Sequence, residues 1–513
     1  MIVRYLLPLF IILFASACKE EKNSLADMDL SNDFCSKIHT VNSKSISEEL
    51  KAFPQLQNGK TGAYVLEDGS GSMVLRAWLT QHAEKSIDIQ YFIFSTDNIG
   101  LIACDYLVRA ADRGVKIRII VDDILIDADI DDILVLDSHE NIDIKIYNPG
   151  MNVGKSIFGK IKKLTTDFRG ANQRMHNKTF VVDNQLVITG GRNIADEYFD
   201  YDHEYNFRDR DVFLIGDPSQ QVQNSFSEFW KSDLSVDLVE LAKEIPERIN
   251  DENKFAPLHE YACNPENFWP QIRSSIENLP QAFEAIKASD KIVWMDSIEY
   301  VSDKPGKNDE TSGLKGGGAS TSRLIELVKN AKESIDIQSP YLVTTELSRE
   351  LFAEAVDRGV KIRILTNSLA STDNLEAFAG YQKDRKELLE TGVRIFEFKP
   401  DAKVRFDIMT GALHQNPEEN PIFGLHAKSM VIDEKMSVIG TFNLDPRSAN
   451  LNTECMVILD SAEITKGVKR GMEIEFKEEN AWETTLDFNP DSMVSRKKRL
   501  KTWTRKIVPK NIL

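Results

Sequence analysis

Positive charge is scarce in this chain of 513 residues: 63 Lys and Arg stand against 81 Asp and Glu, a formal net charge of −18. A protein that covers nucleic acid needs the opposite balance, because Lys and Arg drive binding by displacing counterions from phosphates. The deficit argues against a broad nucleic-acid footprint and leaves room only for a local basic pocket. Cysteine and histidine are also rare, at five and eight residues, and none of their spacings suggests zinc. General disorder is excluded by an ordinary globular mix, 42% hydrophobic and 28% charged, and the length suffices for two or more domains with their own cores.

The apolar run from Met1 to Ala17 stops abruptly at small residues before Cys18. It is too short for a comfortable membrane span and fits an export signal. Ala15-Ser-Ala-Cys18 resembles a bacterial lipobox, which makes Cys18 the expected lipidated first residue; ordinary cleavage or an uncleaved anchor is the alternative. Lys19 is not the aspartate associated with inner-membrane retention. The expected location is therefore the cell envelope, lipid-anchored at the periplasmic face of the outer membrane, with the inner membrane as the alternative. Of the remaining cysteines, Cys104 and Cys455 lie in apolar stretches and read as buried thiols, whereas Cys35 and Cys263 lie in polar segments and can pair in an oxidising compartment.

What the sequence has is a duplication. His176-Asn-Lys178, Asp183 and Asn193 return as His426-Ala-Lys428, Asp433 and Asn443, each pair separated by 250 residues. Lys85-Ser-Ile-Asp-Ile-Gln90 returns as Glu333-Ser-Ile-Asp-Ile-Gln338, and Asp112-Arg-Gly-Val-Lys-Ile-Arg118 as Asp357-Arg-Gly-Val-Lys-Ile-Arg363. So long a period means a duplicated domain rather than a solenoid. One half-site per copy predicts a pseudo-twofold pair around one shared site.

In each copy a helical pattern, an apolar strand, a second helix and another strand follow one another: 73–83, 86–94, 100–111 and 115–121, then 324–331, 334–338, 347–356 and 360–365. That order predicts α/β domains with mixed or parallel sheets and helices on both faces. The expected organisation is a signal peptide over 1–17, a polar tether over 18–55, domains over 56–235 and 323–475, an inter-domain linker over 236–322, and a basic tail over 476–513. Gly316-Gly-Gly318 reads as a mobile connection.

Met175–Val182 has β character, and alternation along a strand puts His176 and Lys178 on one face, where imidazole and ammonium converge on an anion. His426 and Lys428 do the same from the other copy. Asp183 and Asp433 precede turn-like residues and are expected to support the geometry rather than touch substrate. Asn193 and Asn443, at the ends of return strands, are candidate donors to phosphate oxygens. A nucleophilic imidazole needs a partner to fix its tautomer. Glu454 is the candidate in the second half and Asp209 its counterpart in the first, with Asp211 as an alternative.

His-x-Lys-x4-Asp in duplicate resembles the phospholipase D superfamily. Asp88-Ile-Gln-Tyr-Phe92, Gly190-Gly-Arg-Asn-Ile194, Asp303-Lys-Pro-Gly-Lys307, Gly440-Thr-Phe-Asn-Leu-Asp-Pro-Arg-Ser448 and Asn452-Thr-Glu454 resemble its bacterial cardiolipin synthase C subgroup. The resemblance implies two-step phosphatidyl transfer through a phosphohistidine, with no metal or other cofactor, His176 as nucleophile and His426 as acid and then base. Lys178, Lys428, Asn193 and Asn443 would stabilise the phosphoryl oxygens. It implies phospholipid partners, phosphatidylglycerol and possibly phosphatidylethanolamine, at a membrane surface, and no nucleic acid. A hydrolytic phospholipase D and, less favoured, a nuclease are the alternative activities. The tail Arg496–Lys506, cations around Trp503, is expected to lie on anionic headgroups, with a solvated basic terminus as the alternative.

Overall fold

A computed structural model describes residues 34–36, 45–123, 130–150, 170, 172–308, 316–409 and 421–513. Cys18 and the signal run lie outside these residues. The two halves share one wiring. In the first, β1 (Thr61–Leu66), β2 (Ser86–Tyr91), β3 (Lys116–Asp122), β4 (Ile142–Tyr147), β5 (Thr179–Val182), β6 (Leu186–Gly190), β8 (Asp211–Ile215), β9 (Ser235–Asp237) and β10 (Val293–Met295) form a sheet ordered β10-β1-β8-β6-β5-β2-β3-β4-β9. In the second, β11 (Glu299–Ser302), β12 (Ser334–Gln338), β13 (Lys361–Asn367), β14 (Arg394–Phe398), β16 (Lys428–Ile432), β17 (Met436–Gly440), β18 (Cys455–Asp460) and β19 (Ala481–Thr484) are ordered β11-β18-β17-β16-β12-β13-β14-β19. The repeated apolar strands are the parallel centre of each sheet, β2-β3-β4 and β12-β13-β14, and the His-Lys hairpins pair antiparallel beside them. The expected mixed α/β class and its duplication are both observed.

The principal helices are α1 (Gly69–His82), α2 (Asn98–Asp112), α3 (Pro218–Trp230), α4 (Ala319–Asn330), α5 (Glu346–Asp357), α6 (Leu375–Glu390), α7 (Ala462–Glu475) and α8 (Arg496–Arg505). Their starts follow local chemistry: Asp68, Asp97, Thr345 and Ser461 cap α1, α2, α5 and α7 by accepting from backbone N–H groups in the first turn. The inner faces of the two sheets meet in one core, where Val181, Val187 and Leu214 pack with Val431, Ile439 and Val457. Each outer face has its own core. The halves are thus joined by buried apolar surface rather than by a hinge.

Three expected connecting segments are partly built into the body. Within the tether, the Ser45-capped helix Ile46–Lys51 buries Ile46 and Leu50, and Phe53 joins them in the first core. In the linker, β10 extends the first sheet and β11 the second, so the connection stitches both edges. Gly318 is packed rather than free: a Cβ there would stand 2.4 Å from Asp303 Oδ1. Within the tail, β19 closes the second sheet and α8 lies against α6, with Thr502 buried. The apolar spacings responsible, Ile46/Leu50/Phe53 and Ala481/Thr484, are short enough to be masked by the surrounding charge. Cys35 and Cys263 form a disulfide, whereas Cys104 and Cys455 are free and buried, as their apolar surroundings predict.

Candidate active site

The His-x-Lys segments meet because each hangs from the opposite half. The short strand β7 (Tyr205–Arg208) pairs in parallel with β15 (Ile422–Leu425), from Tyr205 opposite Ile422 to Arg208 opposite Leu425. His426 N then donates to Arg208 O at 2.8 Å. On the other side of the pseudo-twofold axis, Met175 bridges Thr453 and His176 N donates to Thr453 O at 3.0 Å. The residues that follow Arg208 and Thr453 are Asp209 and Glu454. Backbone pairing therefore delivers each orienting carboxylate to the histidine of the other half.

The side chains complete the exchange. His176 Nδ1 lies 2.8 Å from Glu454 Oε2, and His426 Nδ1 lies 2.5 Å from Asp209 Oδ2. Asp211, the alternative partner, instead accepts from Arg76 at 2.9 Å and Ser72 at 2.8 Å, so it belongs to the scaffold. The two lysines adopt matching poses, Lys178 Nζ donating to His176 O at 2.8 Å and Lys428 Nζ to His426 O at 2.6 Å. His176 and Lys178 stand just before β5 rather than inside it, while Lys428 opens β16. Asn193 and Asn443 are buried at the ends of the return strands, with Asn193 Oδ1 accepting from Ile93 N at 3.1 Å.

Asp183 and Asp433 are where turn chemistry puts them, at φ 53° and 51°, the left-handed region that Asp tolerates better than most residues. Asp183 accepts from the N–H groups of Glu84, Lys85 and Ser86, and Asp433 from those of Lys332, Glu333 and Ser334. Each aspartate pins its His-Lys hairpin to the start of the central strand and stays away from the histidines.

Burial sets the charge state. Desolvation holds His176 down to about 4 and His426 to about 3, against the pull of their carboxylates. The same burial holds Lys178 down to about 7, helped by Lys428, and Lys428 to about 8. Glu454 and Asp209 stay ionised despite burial, because each faces its histidine and a lysine. The resting site is thus two neutral imidazoles, each donating Nδ1–H to a carboxylate and leaving Nε2 as a free base.

Several supporting groups have no role assigned from sequence, although Phe92, Asp303, Lys307 and Thr441 lie in the motifs that carry the resemblance. Asp122 Oδ2 accepts from Met175 N at 2.8 Å, and Asn367 Oδ1 accepts from Leu425 N at 2.8 Å; they end the repeated strands β3 and β13 and fix the residues before each histidine. Phe92 lies edge-on to His176, and Tyr198 and Phe207 flank His426. Thr441 Oγ1 donates to Glu454. Asp303 accepts from Glu454 N at 3.0 Å, and Lys307 Nζ bonds Asp303, Ser448 O and Asn452 O, so the linker motif braces the second half-site. The repeated position of Asp122 and Asn367 was a readable signal, whereas the aromatics have no counterpart in the repeat.

Comparison with known proteins finds relatives that cover both halves of the chain. The family model described as "Cardiolipin synthase, PLD-like domain" matches twice, over residues 79–230 and 324–474. Cardiolipin synthase C of Escherichia coli K12 is 33% identical over 84% of this chain and 87% of its own length. An uncharacterised protein of Helicobacter pylori 26695 is 32% identical over 82% of this chain and 80% of its own. The crystal structure of a phosphatidylserine synthase from Haemophilus influenzae superposes with a TM-score of 0.52 over 91% of this chain and all of the other, at 12% identity, a likeness of fold alone.

Proposed function

The chain belongs to the cardiolipin synthase, phospholipase D-like family of enzymes, and from that premise we propose that it transfers a phosphatidyl group between glycerophospholipids through a phosphohistidine. The observation that carries this reading is the pair of imidazoles, each held at Nδ1 by a buried carboxylate and each beside a lysine. His176 Nε2 attacks phosphorus and the P–O bond to the leaving alcohol breaks. A proton from His426 goes to that oxygen. His426, now neutral, takes the proton of the incoming alcohol, whose oxygen displaces His176 from phosphorus.

Charge counting explains why His426 takes up the first proton from solvent when substrate binds. Two lysine ammoniums balance Asp209 and Glu454, so the resting site is neutral. A phosphodiester adds one negative charge to a dry site, and protonating one imidazole restores the balance. Substrate binding thereby raises the basicity of His426, whose other nitrogen already faces Asp209. Lys178, Lys428, Asn193 and Asn443 supply donors to the phosphoryl oxygens.

Phosphatidylglycerol is the proposed acceptor, with phosphatidylglycerol or phosphatidylethanolamine as donor. The assay is mass spectrometry of products from phosphatidylglycerol vesicles, with and without phosphatidylethanolamine, using wild type and His176→Ala. Cardiolipin made only by wild type supports the transferase. Phosphatidic acid alone replaces it with a hydrolase using the same residues, and no lipid product removes the reading.

We further propose attachment to the envelope through lipidated Cys18 and contact with lipid through the C-terminal segment. In support, Leu500, Trp503 and Ile507 are 62%, 64% and 87% exposed among seven Lys and Arg between 496 and 506, an apolar and cationic surface suited to anionic headgroups. A mature protein not beginning at Cys18 removes the anchor. Undiminished binding of a Leu500→Ser/Trp503→Ser/Ile507→Ser variant to anionic vesicles removes the contact.

A further inference from the structure

The duplication makes the two halves controls for each other, and in one place they diverge sharply. Between α4 and α5 of the second half lies a groove of 970 Å³, while its counterpart between α1 and α2 of the first half is reduced to 50 Å³. The positions correspond one to one. Leu324 stands where the first half has Arg76, in the register that sets Ser334 against Ser86. Leu351 stands where it has Tyr106, in the register of the two Asp-Arg-Gly turns. Ala449 stands where it has Phe199, six residues beyond Asn443 and Asn193 respectively.

These exchanges account for the difference in volume. In the first half the Arg76 guanidinium lies 5.6 Å from the centre of the Phe199 ring and is tied to Asp211, and Phe199 is only 1% exposed. That polar-aromatic plug is absent from the second half, where Leu324 and Ala449 leave open space whose inner wall is apolar and whose rim carries polar side chains. A fourth position also exchanges a polar side chain for an apolar one. Arg192, which donates to Leu66 O and Asp209 O in the first half, is replaced in the repeat by Phe442, which lines the groove.

The groove also lies beside the chemistry. Leu324, Met430, Phe442 and Leu444 form a wall common to it and to a small inner cavity of 30 Å³ whose lining includes Lys428. At its outer end Leu347 is 52% exposed. An apolar wall is therefore all that separates the groove from the cavity at the lysine beside His426, and the groove, rimmed by polar side chains such as Thr321, Thr345 and Arg349, has a volume in the range of roughly 300–1,000 Å³ typical of ligand sites.

We propose that this groove takes one acyl chain of the lipid whose phosphate is held between Lys178 and Lys428. The inference rests on the phosphatidyltransferase reading. A glycerophospholipid places its hydrocarbon chains a few bonds from phosphorus, so a headgroup bound at Lys428 brings a chain within reach of the neighbouring groove. Burial of that chain removes apolar surface from water on both partners. Among the described residues only the second half has a groove at this place between its helices, so the two-faced active site is asymmetric towards its lipids.

The experiment restores the plug. The full chain, its Ala449→Phe variant and its Leu347→Trp variant are assayed with dihexanoyl and with dioleoyl phosphatidylglycerol, and the ratio of long-chain to short-chain kcat/KM is compared. Blocking the groove is expected to lower that ratio about tenfold, the equivalent of roughly two buried methylenes. A ratio within twofold of wild type in a folded variant overturns the proposal. Leu347→Trp changes an exposed helical position and decides the matter if Ala449→Phe does not fold. Absence of turnover by wild type with either lipid overturns the functional reading itself, whereas wild-type turnover with an unmoved ratio removes the groove alone.

Discussion

Replacing Glu454 by Gln tests the crossed pairing at its most exposed point, because the residue belongs to the second half and serves the histidine of the first. The carboxylate Oε2 stands 2.8 Å from His176 Nδ1. A unit-charge pair about 4 Å apart interacts by about 4 kcal/mol at an effective dielectric of 20, and a hydrogen bond to a charged group contributes about 1.5–3 kcal/mol net. Loss of the smaller quantity alone slows attack by roughly 10- to 150-fold. An amide can also present N–H to Nδ1 and select the wrong tautomer, a change that costs about 10⁴ in serine-protease triads. Glu454→Gln is therefore expected to slow formation of the phosphoenzyme on His176 by about 10² to 10⁴. The assay is rapid quenching with phosphate-labelled lipid and recovery of the labelled histidine peptide. Asp209→Asn, which acts on His426, should alter decay of that adduct as well as its formation. Phosphoenzyme formation by Glu454→Gln within twofold of wild type, or an effect confined to adduct decay, would refute the argument.

Two further outcomes follow from the same geometry. Protonation of His176 below about 4 removes the proposed nucleophile, and loss of charge from Lys178 above about 7 removes a phosphate donor; because His426, held to about 3, must also take up a proton, kcat/KM should decline above about 4 and decline more steeply above about 7, and a profile still climbing at pH 9 contradicts the assignment. Asp433→Ala leaves three N–H groups without their acceptor and places alanine at φ 51°, so a loss of about 2–4 kcal/mol in urea unfolding is expected, with the active-site ratio of kcat values for two lipids unmoved; an unchanged midpoint would refute it.

Much of this arrangement was legible in the chain. The 250-residue spacing identified both His-Lys pairs, their supporting aspartates and the terminal asparagines, and strand alternation gave the α/β class. Asp183 was readable as a turn residue because Asn184-Gln185 follow it. The crossing was not readable: the partners are separated by 278 and 217 residues, and local pattern carries no information about which half a carboxylate faces. Glu454 and Asp209 were selected by type and position, but which histidine each faces is decided by the parallel contact of β7 with β15 and by the bridge of Met175 to Thr453. The linker and tail were read as connections because their apolar residues are sparse. Ile272 and Ile276, one helical turn apart, are enough to seat Pro270–Glu277 in the core.

The exchange of carboxylates also bears on when the protein acquires its chemistry during synthesis. His176 is made early, but the groups that fix its tautomer and its backbone, Glu454 and Thr453, arrive only with the entrance to β18. A nascent chain or a clipped fragment holding one half carries a histidine and a lysine with no partner to orient them. The dyad on His176 is thereby incomplete until Glu454 is in place, and shared ownership of the two dyads ties both to the finished chain.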